Sequence, residues 1–193
     1  MSRRHWPEAL AVVLAALLFA TLPGDLVPGP RAIQFGVAAV ELVLGGLLVA
    51  GNRRRASLAL IAVIGLTNTA ALGYLIHQLL YAGGVTGRSL LYSAFDVWVT
   101  NVIVFGLLYW ELDGASADEG DFLFPQQSDE RLARGFFPRF TDYLYTSYTN
   151  AIAFSPTDTM PLTRRAKMLM LVQSFVSVGT LLLVGARAVN ILR

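Results

Sequence analysis

The chain has 193 residues, 55% of them hydrophobic and 15% charged, with a formal net charge of +2 and a mean hydropathy of +0.56. Soluble domains carry about 25% charged residues, so this much apolar sequence calls for lipid as its solvent and leaves no room for a separate soluble domain. The small net charge says little about nucleic acid, and no nucleic-acid partner is expected. The absence of Cys excludes disulfides, thiolate chemistry and Cys-ligated metals.

In chain order, a basic start precedes a first apolar stretch over 7–22. Pro7 and Glu8 suit the first turn of a helix. No small-x-small cleavage pattern follows, because the chain runs directly into Leu22-Pro23-Gly24-Asp25, so a retained span is expected rather than a signal peptide. A Pro/Gly loop leads to a second span over 32–50 with Glu41 near its middle, ended by Asn52-Arg53-Arg54-Arg55. The third span, 57–81, carries Asn68 and places Ala62, Gly65, Thr69 and Gly73 on one face, where another helix can approach closely. The fourth, 90–110, carries Asp96 and Asn101. Residues 111–139 read as an ordered interfacial loop, acidic first and basic later, with a short helix around 128–134. A short helix follows over 140–154, capped by Thr141 or Asp142. Its Thr, Ser, Tyr, Asn and Asp content is too polar for a lipid-facing span, so a re-entrant helix is expected rather than a crossing one. The last span is 167–191. The fold class expected is all-α: a single transmembrane domain of about five spanning helices plus one short re-entrant helix. Lys/Arg counts put the N-terminus, Arg53 to Arg55, the 111–139 loop and Arg164, Arg165 and Lys167 on the cytoplasmic side.

Intramembrane Glu41 and Asp96 are the strongest single-residue signals. A carboxylate in the bilayer core costs several kcal/mol or must stay protonated, so each is a candidate for a cation or proton relay. The other reading pairs them with Asn68, Asn101 or an Arg to fix helix packing. Ser93, Asp96 and Thr100 share a helix face, which suits either. In the last helix Gln173, Ser177, Thr180 and Arg187 also share a face, either lining a pore or packing helices through hydrogen bonds. With His5 and His77 far apart and no Cys, no metal site is expected. No Ser-His-Asp arrangement, Gly-rich phosphate loop or nucleotide motif occurs, so neither enzymatic activity nor a cofactor is expected.

The stretches Tyr145-Thr146-Ser147-Tyr148, Ile152-Ala153-Phe154-Ser155-Pro156-Thr157-Asp158-Thr159 and Arg164-Arg165-Ala166-Lys167 resemble the C-terminal half of a family of bacterial polytopic inner-membrane proteins. Trp110-Glu111-Leu112-Asp113 and Asp121-Phe122-Leu123-Phe124-Pro125-Gln126 look like signatures of related proteins. More distantly, the last 55 or so residues resemble the pore loop and last helix of tetrameric potassium channels. That likeness implies a filter-like stretch comprising Thr149, Ala153, Phe154, Ser155, Thr157 and Asp158, with Asp158 matching the Asp after the filter. It departs where selectivity is made. A carbonyl filter depends on Gly, this stretch has none, and Pro156 fixes its own φ. The resemblance therefore implies a channel-like protein passing cations or protons without a potassium-type filter, embedded in the bilayer as a homo-oligomer, a tetramer if the pore is central. The alternatives are a non-conducting scaffold or partner-binding protein that keeps a vestigial pore loop, and a proton-coupled transporter using Glu41 and Asp96.

Overall fold

The computed structural model describes residues 6–22, 30–49, 53–81, 87–113, 120–128, 134–153 and 158–191. Six α-helices make up most of them: α1 (Trp6–Thr21), α2 (Arg31–Val49), α3 (Arg53–Tyr81), α4 (Gly87–Asp113), α5 (Phe140–Ala153) and α6 (Arg164–Ile191). Two short strands, β1 (Phe122–Leu123) and β2 (Met160–Pro161), pair antiparallel with Phe122 opposite Pro161 and Leu123 opposite Met160. Among the described residues three helical stretches are long and apolar enough to cross a membrane: Leu58–Gln78, Arg88–Asp113 and Arg164–Leu183. Pro7–Thr21 is a shorter apolar helix.

α4 is the central helix. Of its apolar window 72% is buried inside the protein, against 39% for α3 and 28% for α6. One apolar cluster joins Val12 and Ala15 of α1, Leu60 and Ile64 of α3, Ile103 and Leu107 of α4, and Phe140 of α5. A second joins Phe105 and Tyr109 of α4 to Phe122, Tyr143, Ala166 and Met170. A third, at the opposite end, joins Leu72 and Leu75 of α3 to Leu90 and Val97 of α4, with Leu183 of α6 against it. Hence α1, α3 and α6 run antiparallel to α4, and α6 follows α4 for most of its length. The outward faces remain apolar: Val43, Leu66, Phe95, Phe175 and Leu182 are all exposed. That distribution is what a lipid solvent asks of a helix bundle.

Two close approaches set the packing. A Cβ on Gly106 would lie 3.1 Å from the Leu144 Cα, so α4 and α5 touch backbone to backbone. A Cβ on Gly45 would lie 2.8 Å from Val12 Cγ1, where α2 crosses α1. Gln34 of α2 closes the end of α1, its Nε2 donating to the carbonyls of Phe19 (2.7 Å) and Leu22 (3.0 Å). These are orphan carbonyls of a helix terminus, which need such a donor.

The segment before α5 is described in part, and the start of α5 differs from expectation in its cap. A single 3-10 turn covers Pro125–Ser128, while residues 129–133 of the expected short helix lie outside the described residues. Asp142 serves α5 from its third position rather than as the capping residue: its Oδ2 accepts from the Arg139 N–H at 2.7 Å. This is the reciprocal half of a capping box, with Arg139 at the cap.

Candidate functional site

α2, α3 and α4 bring five polar side chains to one small cavity: Glu41, Thr67, Asn68, Asp96 and Thr100. Ala15 and Phe19 of α1 close it. The cavity measures about 10 Å³, room for about one water-sized occupant. Glu41 is 1% exposed and Asp96 7%. Oδ1 of Asp96 and the Ser93 hydroxyl one turn before it are buried without a hydrogen-bond partner, and the Glu41 carboxyl has the Thr67 hydroxyl as its neighbouring donor. Thr67 lies beside Glu41, but its hydroxyl donates to the carbonyls of Val63 (2.9 Å) and Ile64 (3.0 Å). A hydroxyl has one proton to give, so the Glu41 carboxyl and these carbonyls compete for it. Asn101, a possible partner for the carboxylates, instead donates to Ser177 of α6 at 3.0 Å.

Buried polar side chains continue along α4 beyond the cavity. Below the Asn101–Ser177 bond, α5 lays its buried face, which includes Tyr143, Thr146, Ser147 and Asn150, against α4 and α6. The Ser147 hydroxyl donates to the Val102 carbonyl at 2.7 Å. Gln173, fully buried, is the hub: its Nε2 donates to the Ser147 carbonyl (3.0 Å) and hydroxyl (2.7 Å), and its Oε1 accepts from Tyr109 (2.7 Å) and Asn150 (2.8 Å). Asn150 Nδ2 also donates to the Met170 carbonyl at 3.0 Å. These groups satisfy one another, as buried polar atoms must.

At the far end of α4 the network becomes ionic. Asp113 accepts from the Tyr143 hydroxyl and from the N–H groups of Asp121 and Phe122. Asp121, 2% exposed, accepts from the Thr163 hydroxyl and from two nitrogens of Arg165, whose side chain is 47% exposed. Thr163 also caps α6, its Oγ1 accepting from the Ala166 N–H at 3.1 Å. The chain after α5 therefore returns to where α5 began. Phe140 stacks edge-on with Trp110, α5 runs in as far as Ala153, Thr159 accepts from Thr146 at 3.2 Å, and β2 pairs beside Asp121.

Among the filter-like residues, Thr149 turns its hydroxyl back to the carbonyls of Tyr145 and Thr146, both at 3.0 Å. Ala153 and Asp158 are exposed, and Phe154, Ser155 and Thr157 lie outside the described residues. Gln173, Ser177 and Thr180 are buried within the chain, whereas the Arg187 side chain lies outside the described residues. The sequence reading missed Tyr109, Asp113, Asp121 and Arg165 as network members. Asp121 and Arg165 stand in unrelated segments, and only the opposite signs of their charges hinted at a pairing. The chain matches no protein-family description, curated protein or solved structure.

Proposed function

We propose that this is a multi-pass membrane protein of the bacterial inner membrane that passes small cations, with Glu41 and Asp96 as the point where the cation is held inside each protomer. The carrying observation is the cavity itself: two buried carboxyl side chains, Glu41 beside the Thr67 hydroxyl and Asp96 with an unpartnered Oδ1, face a space that fits one small occupant. Carboxylates are costly in hydrocarbon and mark ion pathways when they occur there. The polar side chains from Asn101 to Asp113 extend from this point to the ionic end of α4, and their closed hydrogen bonding corresponds to a shut path. In this reading α1 and α2 also span, giving five crossings. The basic end, with Arg53 to Arg55 opening α3 and Arg164, Arg165 and Lys167 opening α6, faces the cytoplasm. Cation flux in proteoliposomes, compared with Glu41→Gln and Asp96→Asn proteins, tests it.

A second reading rests on the path of α5. The helix enters from the cytoplasmic end and the chain is back there by β2, as in a re-entrant pore loop. Here a homo-oligomer, a tetramer in its simplest form, surrounds a central path beside Asp158. The exposed position of Asp158 favours it; the internal hydrogen bonding of Ser147 and Asn150 does not. A scaffold with a vestigial hairpin is the outcome left if neither route conducts.

A further inference from the structure

We propose that the cavity between α2, α3 and α4 is a binding site for one dehydrated divalent cation of Ca²⁺ size. The inference rests on the reading of Glu41 and Asp96 as a cation-holding point and names the cation.

The donor set is oxygen only. Glu41 and Asp96 offer carboxylates, Thr67 and Thr100 hydroxyls, and Asn68 an amide. Oxygen-only sets suit hard cations, while zinc and copper favour imidazole or thiolate. The chain has no Cys; His77 is exposed, more than two turns beyond Asn68 on α3. Among the described residues no three of His, Cys, Asp and Glu converge, so the cation is held by two carboxylates and neutral oxygens.

Charge then selects the valence. Among the described residues no Lys, Arg or His lines the cavity. On the surrounding helices, Glu8 lies about two turns before Ala15, Arg31 nearly three turns before Glu41, Arg88 about two turns before Asp96, and Arg53 to Arg55 more than three turns before Thr67. A monovalent cation neutralises one carboxylate and needs a proton on the other, since unpaired charge in the protein interior is heavily penalised. A divalent cation neutralises both without a proton, and is the state the binding test looks for.

Room selects the size. Mg²⁺ sheds its waters reluctantly and would bring several with it. A space of about 10 Å³ admits about one water-sized body. Ca²⁺ gives up its shell for roughly six to eight oxygens. The lining side chains carry seven oxygens between them, two on each carboxyl and one each on Thr67, Asn68 and Thr100, a number within that range.

The test is equilibrium binding of radioactive Ca²⁺ to the full-length protein in nanodiscs, with Mg²⁺, Na⁺ and K⁺ as competitors. The expected result is one Ca²⁺ per chain, not displaced by a hundredfold excess of Mg²⁺ or K⁺. Glu41→Gln and Asp96→Asn should each weaken binding by a hundredfold or more. Thr100→Val, a milder change that keeps the fold if the carboxyl variants fail to fold, should weaken it about tenfold. Absence of binding by the wild-type protein, equal competition by Mg²⁺, or loss of binding in Asp158→Asn but not Glu41→Gln overturns the proposal. Flux of a monovalent cation without Ca²⁺ binding would overturn this inference and leave the transport reading standing. Ca²⁺ binding without any flux would do the reverse.

Discussion

Gln173 of α6 donates to both the carbonyl and the hydroxyl of Ser147 of α5, at 3.0 and 2.7 Å. With Tyr109 and Asn150 bonded to its Oε1, one amide joins the central helix, the short helix and the last helix. Its two donors and two acceptor sites are all used. Replacing Gln173 by Leu takes the acceptor from the buried Tyr109 hydroxyl and removes bonds from Ser147 and Asn150, which keep theirs to Val102 and Met170. The expected cost is about 1–3 kcal/mol, since a buried unsatisfied group costs about that much while hydrogen bonds in membranes average well under 1 kcal/mol each. Unfolding of the purified protein in mixed micelles measures it, and a loss near zero would remove Gln173 as the pin of the hairpin.

Much of this arrangement was legible in the sequence, and the reasons are local. Helix positions follow from apolar runs punctuated by Pro, Gly and Arg, and the polar character of 140–153 marks that helix as one buried by protein. Gln173, Ser177 and Thr180 share a face by spacing alone. What spacing cannot supply is the partner across space. Asp113 and Asp121 read as loop acids until Tyr143, Thr163 and Arg165 are folded against them. Glu41 and Asp96 stand out individually, yet only the crossing of α2, α3 and α4 makes them lining residues of one cavity.

The ion pair at the far end of α4 gives a second prediction. Asp121 is buried while Arg165 is half exposed, and two guanidinium nitrogens meet one carboxylate oxygen. Solvent screens the Arg side, so the pair is worth less than a fully buried one. A double-mutant cycle with Asp121→Ala and Arg165→Ala should give a coupling of about 1 kcal/mol. Arg165→Lys should recover little of it, because an ammonium lacks the fork. Additive single-mutant effects would show the pair to be incidental.

The contact at Gly106 predicts a sharp contrast between glycines. Gly106→Ala pushes a methyl against the Leu144 backbone and should destabilise by about 1–3 kcal/mol, as overpacking does. Nothing lies within 4 Å of a Cβ on Gly179, so Gly179→Ala should be neutral or stabilise by up to about 1 kcal/mol through helix propensity. Thermal midpoints of the two variants decide it; equal effects would contradict the backbone-to-backbone contact.

The returning path of the chain around α5 predicts a labelling pattern. The protein has no Cys, so a single introduced thiol reports without background. Phe137 before α5 and Met160 after it are both exposed. Phe137→Cys and Met160→Cys should react with a membrane-impermeant maleimide from the same side, the cytoplasmic one. Labelling from opposite sides would mean that α5 crosses.

The central claim is that cations pass by way of Glu41 and Asp96, and flux tests it most directly. Wild-type protein in liposomes is given gradients of Ca²⁺, Na⁺, K⁺ and H⁺ in turn, beside Glu41→Gln, Asp96→Asn and, as a control for reconstitution, Gly179→Ala. The account predicts cation flux in the wild type and control, and its loss in both carboxyl variants when they elute as folded protein. Undiminished flux in folded Glu41→Gln, or no flux by the wild type under any gradient, would contradict it.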